Sequence, residues 1–178
     1  MSTVSLKHAA RLGKAFLTRR VPVYAHYGIT HRCDLTCKMC GIWRYGKKSE
    51  ELTLQEIEVV AERMARLGVV QVSLGGGEPF VREDLPEICG IFSRAGVNTR
   101  VLTNGVNVTQ ERLQACIDAG VTNYSISMDS LSPERFDEIC EYPGSWEAAV
   151  RNMSFLSHAL KGKDGLLVMN CVVSNLNM

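Results

Sequence analysis

The sequence predicts an α/β domain whose parallel sheet curls toward a barrel, on three observations. Segments with helical spacing of apolar residues alternate with short apolar, strand-like runs; glycines close several of the helical segments; and the residues with the most chemistry lie just after strand-like runs. Alternation of this kind makes each helix a crossover between parallel strands. Barrel enzymes assemble their sites at the carboxyl ends of their strands, so those positions favour a barrel-like curl over a Rossmann-type sheet.

The elements follow in order. Residues 5–20 carry apolar residues at Leu6, Ala9, Ala10, Leu12, Phe16 and Leu17, with Lys7, Arg11, Lys14, Arg19 and Arg20 between them. This is a basic amphipathic helix, expected to pack over one end of the domain, and Pro22 stops it. Residues 1–20 are thus set apart from a core at 21–178. Residues 21–29 form a buried strand, and residues 45–51 a polar stretch. Thr53 and Glu56 then read as a capping box, with Ile57, Val60, Ala61, Met64 and Leu67 on the inward face and Gly68 at the end. A strand is expected at 69–74. The unit repeats with Leu85, Ile88, Cys89 and Phe92, closed by Gly96, before a strand at 97–103. It repeats again from the Thr109 cap through Leu113, Cys116 and Ile117 to Gly120, before a strand at 121–128. Ser132-Pro133 starts a short helix through Phe136 and Ile139. Pro143-Gly144 ends it, Ser145 is expected to cap the next, and a fifth strand spans 166–173.

Length and charge bound the function. At 178 residues the chain makes one domain with a real core. Lys and Arg total 20 against 19 Asp and Glu, so bulk charge recruits neither nucleic acid nor anionic membrane. No apolar run reaches the ~20 residues that span a bilayer. The seven cysteines are an odd number, and the chain reads as cytoplasmic, where clustered thiols are metal ligands more often than disulfides.

Three of those thiols, Cys33, Cys37 and Cys40, fall in a CxxxCxxC stretch just after the first strand. Thiolates are soft ligands for iron-sulfur clusters, zinc or copper(I). A closed structural site takes four protein ligands, and no fourth Cys or suitably spaced His follows Cys40, which leaves a coordination position open for catalysis. A zinc site completed by His31 or Asp34 is the alternative. Downstream, Gly75-Gly76-Gly77 lets backbone approach a ligand closely, and Glu78 adds negative charge. A dinucleotide phosphate loop is disfavoured because Phe80 stands where GxGxxG needs its last glycine. Asn104-Gly105 is an ordinary turn pair or a ligand contact. Ser127 and Asp129 flank Met128, so their side chains share one face of the strand.

The cysteine stretch resembles the cluster loop of the radical S-adenosylmethionine (radical SAM) superfamily. Gly75 to Pro79 resembles its GGE motif, Thr103-Asn104-Gly105 its third-strand ending, and Ser127-Met128-Asp129 its ribose-contacting segment, all in the family's order. The resemblance implies a partial (β/α)6 TIM-like barrel, here ending after the fifth strand, so that the chain reads as a piece of a longer protein. It implies that Cys33, Cys37 and Cys40 bind three irons of a 4Fe-4S cluster, leaving the fourth iron to SAM. An electron from the cluster then cleaves SAM to a 5'-deoxyadenosyl radical that abstracts hydrogen from the substrate. Peptide modification or cofactor biosynthesis is the favoured setting, with an electron donor such as flavodoxin or ferredoxin as partner. The implied SAM contacts are the Met39 backbone, Gly75, Gly76, Gly77, Glu78, Asn104, Ser127 and Asp129, with Asn170 and Val172 as further contacts on or near the fifth strand.

Two positions depart from the family pattern. Met39 stands where an aromatic residue is more frequent, and Cys140 where relatives often carry an Arg directed at the SAM carboxylate, a role for which Arg135 or Arg151 is the substitute. Cys89, Cys116 and Cys171 read as core, and His8, His26 and His158 as structural or exposed. A metal-stabilised scaffold without catalysis is the rival reading; it has no use for Glu78, Ser127 and Asp129 around one opening.

Overall fold

The structure, a computed structural model, describes residues 6–18, 21–46 and 50–178. Five strands, β1 (Tyr24–Thr30), β2 (Gln71–Gly76), β3 (Asn98–Thr103), β4 (Asn123–Ser127) and β5 (Leu166–Asn170), form one sheet in that order, every neighbouring pair parallel. A Rossmann sheet reverses around its first strand, whereas here each strand is laid beside the one before it, as in a barrel wall.

Between the strands run α2 (Leu54–Leu67), α3 (Leu85–Arg94), α4 (Gln110–Asp118), α5 (Pro133–Cys140) and α6 (Ser145–Ala159). Val72, Leu74, Val101, Tyr124 and Ile126 on one face of the sheet pack fully buried against Ile57, Ile88, Phe92, Leu113 and Leu156 of the helices. Each such side chain contributes roughly 1.5–3 kcal/mol by leaving water. The capping box at Thr53 and Glu56 forms, and Gly68 ends α2 in the left-handed region at φ 103°. Thr109 and Ser132 cap α4 and α5 as expected.

Strands β2, β3 and β4 begin later than the apolar runs do, for one shared reason. The amides of Val69, Val97 and Val121 are taken by the carbonyls of Met64, Phe92 and Cys116, which closes each preceding helix before the strand starts. The fifth strand stops at Asn170 rather than at residue 173 because the Val172 amide turns to the Asp129 carboxylate, 2.8 Å away.

Three packing expectations are corrected. Helix α1 (Leu6–Thr18) leaves Leu12, Phe16 and Leu17 exposed; it turns Arg11 and Ala15 inward instead, and the Arg11 guanidinium donates to the Val69 and Gly96 carbonyls at the amino-terminal end of the sheet. Ser5, Arg19, Arg20, the side chains of Leu6, Lys7, His8 and Lys14, and residues 47–49 of the polar stretch lie outside the described residues. Leu67, at the last turn of α2, is 58% exposed. Ser145 does not cap α6: Gly144 holds that position, and Asp137 of α5 accepts from the Gly144 and Trp146 amides and the Ser145 hydroxyl.

Candidate active site

The carboxyl ends of the strands border one cavity of about 430 Å3, within the range of small-molecule sites. The loop after β1 brings Cys33, Cys37, Met39 and Cys40 to it. Gly75, Gly76, Gly77 and Glu78 enter from the end of β2, Asn104 from the end of β3, and Ser127 and Asp129 from the end of β4. These eleven positions, the three cysteines and the eight implied contacts from the first four strand ends, therefore border one space.

The cysteine loop is anchored by Leu35, which is 2% exposed in a second apolar cluster with Val106, Met128, Phe136 and Ala149. Hydrogen bonds hold it elsewhere: Lys38 N–H donates to the Ile139 carbonyl, and Cys40 N–H to that of Cys37. The glycine run meets the start of this loop. Gly77 N–H donates to Thr30 O (2.8 Å) and Glu78 N–H to Arg32 O (2.9 Å), and a Cβ on Gly76 or Gly77 would strike those same carbonyls. The close approach that demands glycine is thus made by the chain's own backbone.

Glu78 is 3% exposed and joins the ends of β2 and β3. Its Oε1 accepts from the Phe80 amide (3.0 Å) and the Thr103 hydroxyl (2.9 Å), and its Oε2 from the Asn104 amide (2.7 Å). Burial pushes this carboxyl up to about 7 in spite of those three donors. With two lone pairs on each oxygen, Oε2 keeps one for a ligand donor. The segment is braced from behind, because Arg112 donates to the Phe80 and Arg82 carbonyls and Arg82 to those of Ile29 and Leu52.

Asn104 serves the turn: its Oδ1 accepts from the Val106 amide, while Nδ2 donates to Asp34 Oδ1 in the cysteine loop at 2.8 Å. Asp129 uses Oδ1 for the Val172 amide, and burial raises its carboxyl. Burial pushes the Cys33 thiol up to about 12, and a hydrogen bond with Cys140 together with burial raises Cys37. Among the described residues no three His, Cys, Asp or Glu side chains converge on one ion-sized point.

Several sequence expectations change here. His26, read from the sequence as structural or exposed, lines the cavity, and so do Val172, one of the implied contacts, and Cys140. The signal for His26 was the strand alternation, which puts residues 26 and 28 of β1 on one face. Asn170 does not reach the cavity, Arg135 is engaged with the Leu176 carbonyl, and neither Arg135 nor Arg151 lines the space. Cys89 and Cys116 are core, but Cys171 is exposed beyond the end of β5. His158 is exposed and bonds within its helix. Asn152 was missed: buried on α6, it holds the loop after Asn104 through the Gly105 and Val108 carbonyls. A polar residue at an inward helical position beside Ala149 and Met153 was the available sign.

A family model described as "Radical SAM superfamily" matches residues 27–171. The chain belongs to the radical SAM superfamily. Among curated proteins it is 38% identical over 120 residues to the PqqA peptide cyclase of Rhizobium meliloti (strain 1021), covering 67% of this chain and 32% of that protein. It is 38% identical over 116 residues to the GTP 3',8-cyclase of Pseudomonas entomophila (strain L48), covering 64% and 35%. The PqqA peptide cyclase of Ruegeria pomeroyi is 31% identical over 164 residues, 91% of this chain and 42% of that one. The chain thus spans about a third to two fifths of the length of these relatives, which are named as enzymes. The fold matches that of Streptococcus suis SuiB bound to S-adenosylmethionine, with a TM-score of 0.71 at 16% identity over 94% of this chain and 36% of that one. It also matches methylornithine synthase, at 0.66 and 18% identity over 93% and 49%.

Radical SAM membership implies a 4Fe-4S cluster and SAM as cofactors. The donor set fits both: three soft thiols border a cavity that is also lined by the glycine run, the Glu78 and Asp129 carboxylates and Ser127. Among the described residues no helix is long and apolar enough to cross a membrane.

Proposed function

We propose that this chain carries the cofactor site of a radical SAM enzyme that abstracts hydrogen from a peptide, the substrate class named for the cyclases of R. meliloti and R. pomeroyi. The observation that supports this best is the gathering of Cys33, Cys37, Cys40, Glu78, Ser127 and Asp129 around one cavity, although they stand on three different strand ends. A scaffold needs the thiols alone. When bound, the cluster and SAM supply one-electron cleavage of a sulfonium bond and hence a carbon radical, chemistry that no side chain offers.

The chain's own residues bind and position. Cys33, Cys37 and Cys40 would hold three irons. Because burial favours the thiol form of Cys33, and the Cys140 contact with burial that of Cys37, loading releases protons as those thiolates form. The glycine carbonyls and the remaining Glu78 lone pair receive an ammonium, and Ser127 and the free oxygen of Asp129 receive ribose hydroxyls. Met39 and Val172 border the same cavity and offer contact to the adenine. Leu35 and Phe136 line it with apolar surface, backed by Met128 in the same buried cluster, and limit the access of water to the reacting centre. The electron comes from a small donor protein of the flavodoxin or ferredoxin kind.

The test is anaerobic reconstitution of the full-length protein with iron and sulfide, read by Mössbauer spectroscopy with and without SAM. One 4Fe-4S cluster with a single iron that responds to SAM is expected. Glu78→Ala and Asp129→Ala should each weaken SAM binding by roughly tenfold or more at unchanged iron content. A protein that retains one zinc and takes up no iron would overturn the proposal.

A further inference from the structure

The sheet carries a polar row that the cofactor reading leaves unused. His26 on β1 pairs in register with Ser73 on β2, Ser73 with Arg100 on β3, and Arg100 with Asn123 on β4. By strand alternation all four lie on the face opposite Val72, Leu74 and Val101, which pack against the helices. Ser73 is completely buried, yet its hydroxyl has no hydrogen-bond partner. The Arg100 Nε is enclosed and unpartnered, and the guanidinium forms no ion pair among the described residues. On the same face, one position further along β4, the buried Ser125 hydroxyl is also unpaired.

Buried polar groups are almost always paired, as the Ser73 and Ser125 hydroxyls are not, and the part-buried Arg100, whose enclosed Nε lacks an acceptor, cannot shed its charge. Unpaired hydroxyls beside an unpaired planar cation are the complement of an oxyanion, which takes two parallel bonds from the guanidinium fork and further bonds from the hydroxyls. The location separates this group from the SAM contacts. Arg100 lies three residues before Thr103, where Glu78 is held, or about 10 Å back along the strand. His26 lines the cofactor cavity, and Ser73 stands between it and Arg100, so the row leads from the cavity wall into the sheet.

We propose that Arg100, with Ser73 and His26, binds a carboxylate or phosphate of the substrate and so fixes which of its carbon atoms faces the cofactor cavity. This rests on the reading that SAM occupies that cavity. Arg100 is a specificity-determining residue here and has no part in holding cluster or SAM.

The experiment uses the full-length protein, wild type against Arg100→Gln and Arg100→Lys. Thermal melting is followed while inorganic phosphate or glutarate replaces chloride at constant ionic strength, in protein with and without cluster and SAM. A saturable rise in Tm is expected in the wild type with whichever anion matches the substrate group. Arg100→Gln should raise the midpoint concentration roughly tenfold or more, and Arg100→Lys by less. Iron content and SAM affinity should stay within about twofold of wild type in both variants, a readout that also shows they fold. No anion-dependent difference between wild type and Arg100→Gln overturns the proposal. So does a fall in SAM affinity in step with loss of the anion effect, which would assign the guanidinium to the SAM carboxylate. Absence of iron and SAM binding from the wild type would instead strike the cofactor reading, and the anion arm in the unloaded protein is judged separately.

Discussion

Glu78 offers a prediction whose sign and size both follow from its surroundings. Its carboxyl is enclosed and pushed up to about 7 from an ordinary 4.5. Between those two values the unfolded chain has lost the proton while the folded one keeps it, so the folded state binds more protons and stability must fall as pH rises. The fall begins near 4.5, is complete once pH has passed about 7, and amounts to about 3 kcal/mol at about 1.4 kcal/mol per pH unit. Glu78→Gln cannot ionise, so its stability should lack this component. It carries a different cost that does not vary with pH, since an amide NH2 set against the Asn104 N–H cannot replace the accepting Oε2. The assay is urea unfolding of the cluster-free full-length protein under reductant, wild type and variant, from pH 4.5 to 8. The wild-type minus variant difference should decline with pH and level off above about 7. A difference that is flat, or that grows with pH, would refute the picture of a carboxylate held against its preference.

Three further outcomes follow. Cys37→Ala should abolish cluster assembly measured by iron analysis, whereas Cys89→Ala, in the core, should leave iron uptake intact and cost about 1 kcal/mol in denaturant unfolding. Gly77→Ala places a methyl against the Arg32 carbonyl, so a loss of about 1–3 kcal/mol should accompany weakened iron binding as the cysteine loop loses its seat; unchanged Tm and iron content would contradict the close approach. Asp137→Ala removes the acceptor for the first amides of α6 and should cost about 1–2 kcal/mol without altering the cluster's spectra, while Ser145→Ala should cost less because Ser145 only donates to that carboxylate.

Much of this architecture was legible in the sequence because local rules govern it. Thr53 with Glu56, and glycines such as Gly68 and Gly120, mark helix ends through interactions within a few residues, and the apolar period shows which helical face meets the sheet. The motif residues were legible as a set because each follows a strand in a parallel sheet, where all such positions share one end. What stayed hidden depends on partners in other elements of the fold. The cap that Asp137 supplies to another helix leaves no mark beside Gly144. The three donors to Glu78 come from Phe80, Thr103 and Asn104, and only the first is nearby in sequence. Helix α1 has a textured pattern of apolar residues, yet it docks through Arg11, whose acceptors are the carbonyls of Val69 and Gly96. His26 looked isolated because its neighbours lie across the sheet rather than along the chain.

The unbroken strand order bears on how the molecule is made. Each strand pairs with the strand synthesised immediately before it, so no strand must wait for a later one to be inserted between it and its neighbour. Growth from the amino terminus can therefore keep pace with translation, each helix closing over a ladder already laid down. By the time Asn104 has emerged, the chain contains the cysteine loop, its glycine seat and every donor to Glu78. The wall bearing Ser127 and Asp129 comes later. Pulsed hydrogen exchange on stalled nascent chains should find the amides of Gly77 and Asn104 protected before that of Met128; simultaneous protection would mean that the sheet instead forms in one cooperative step.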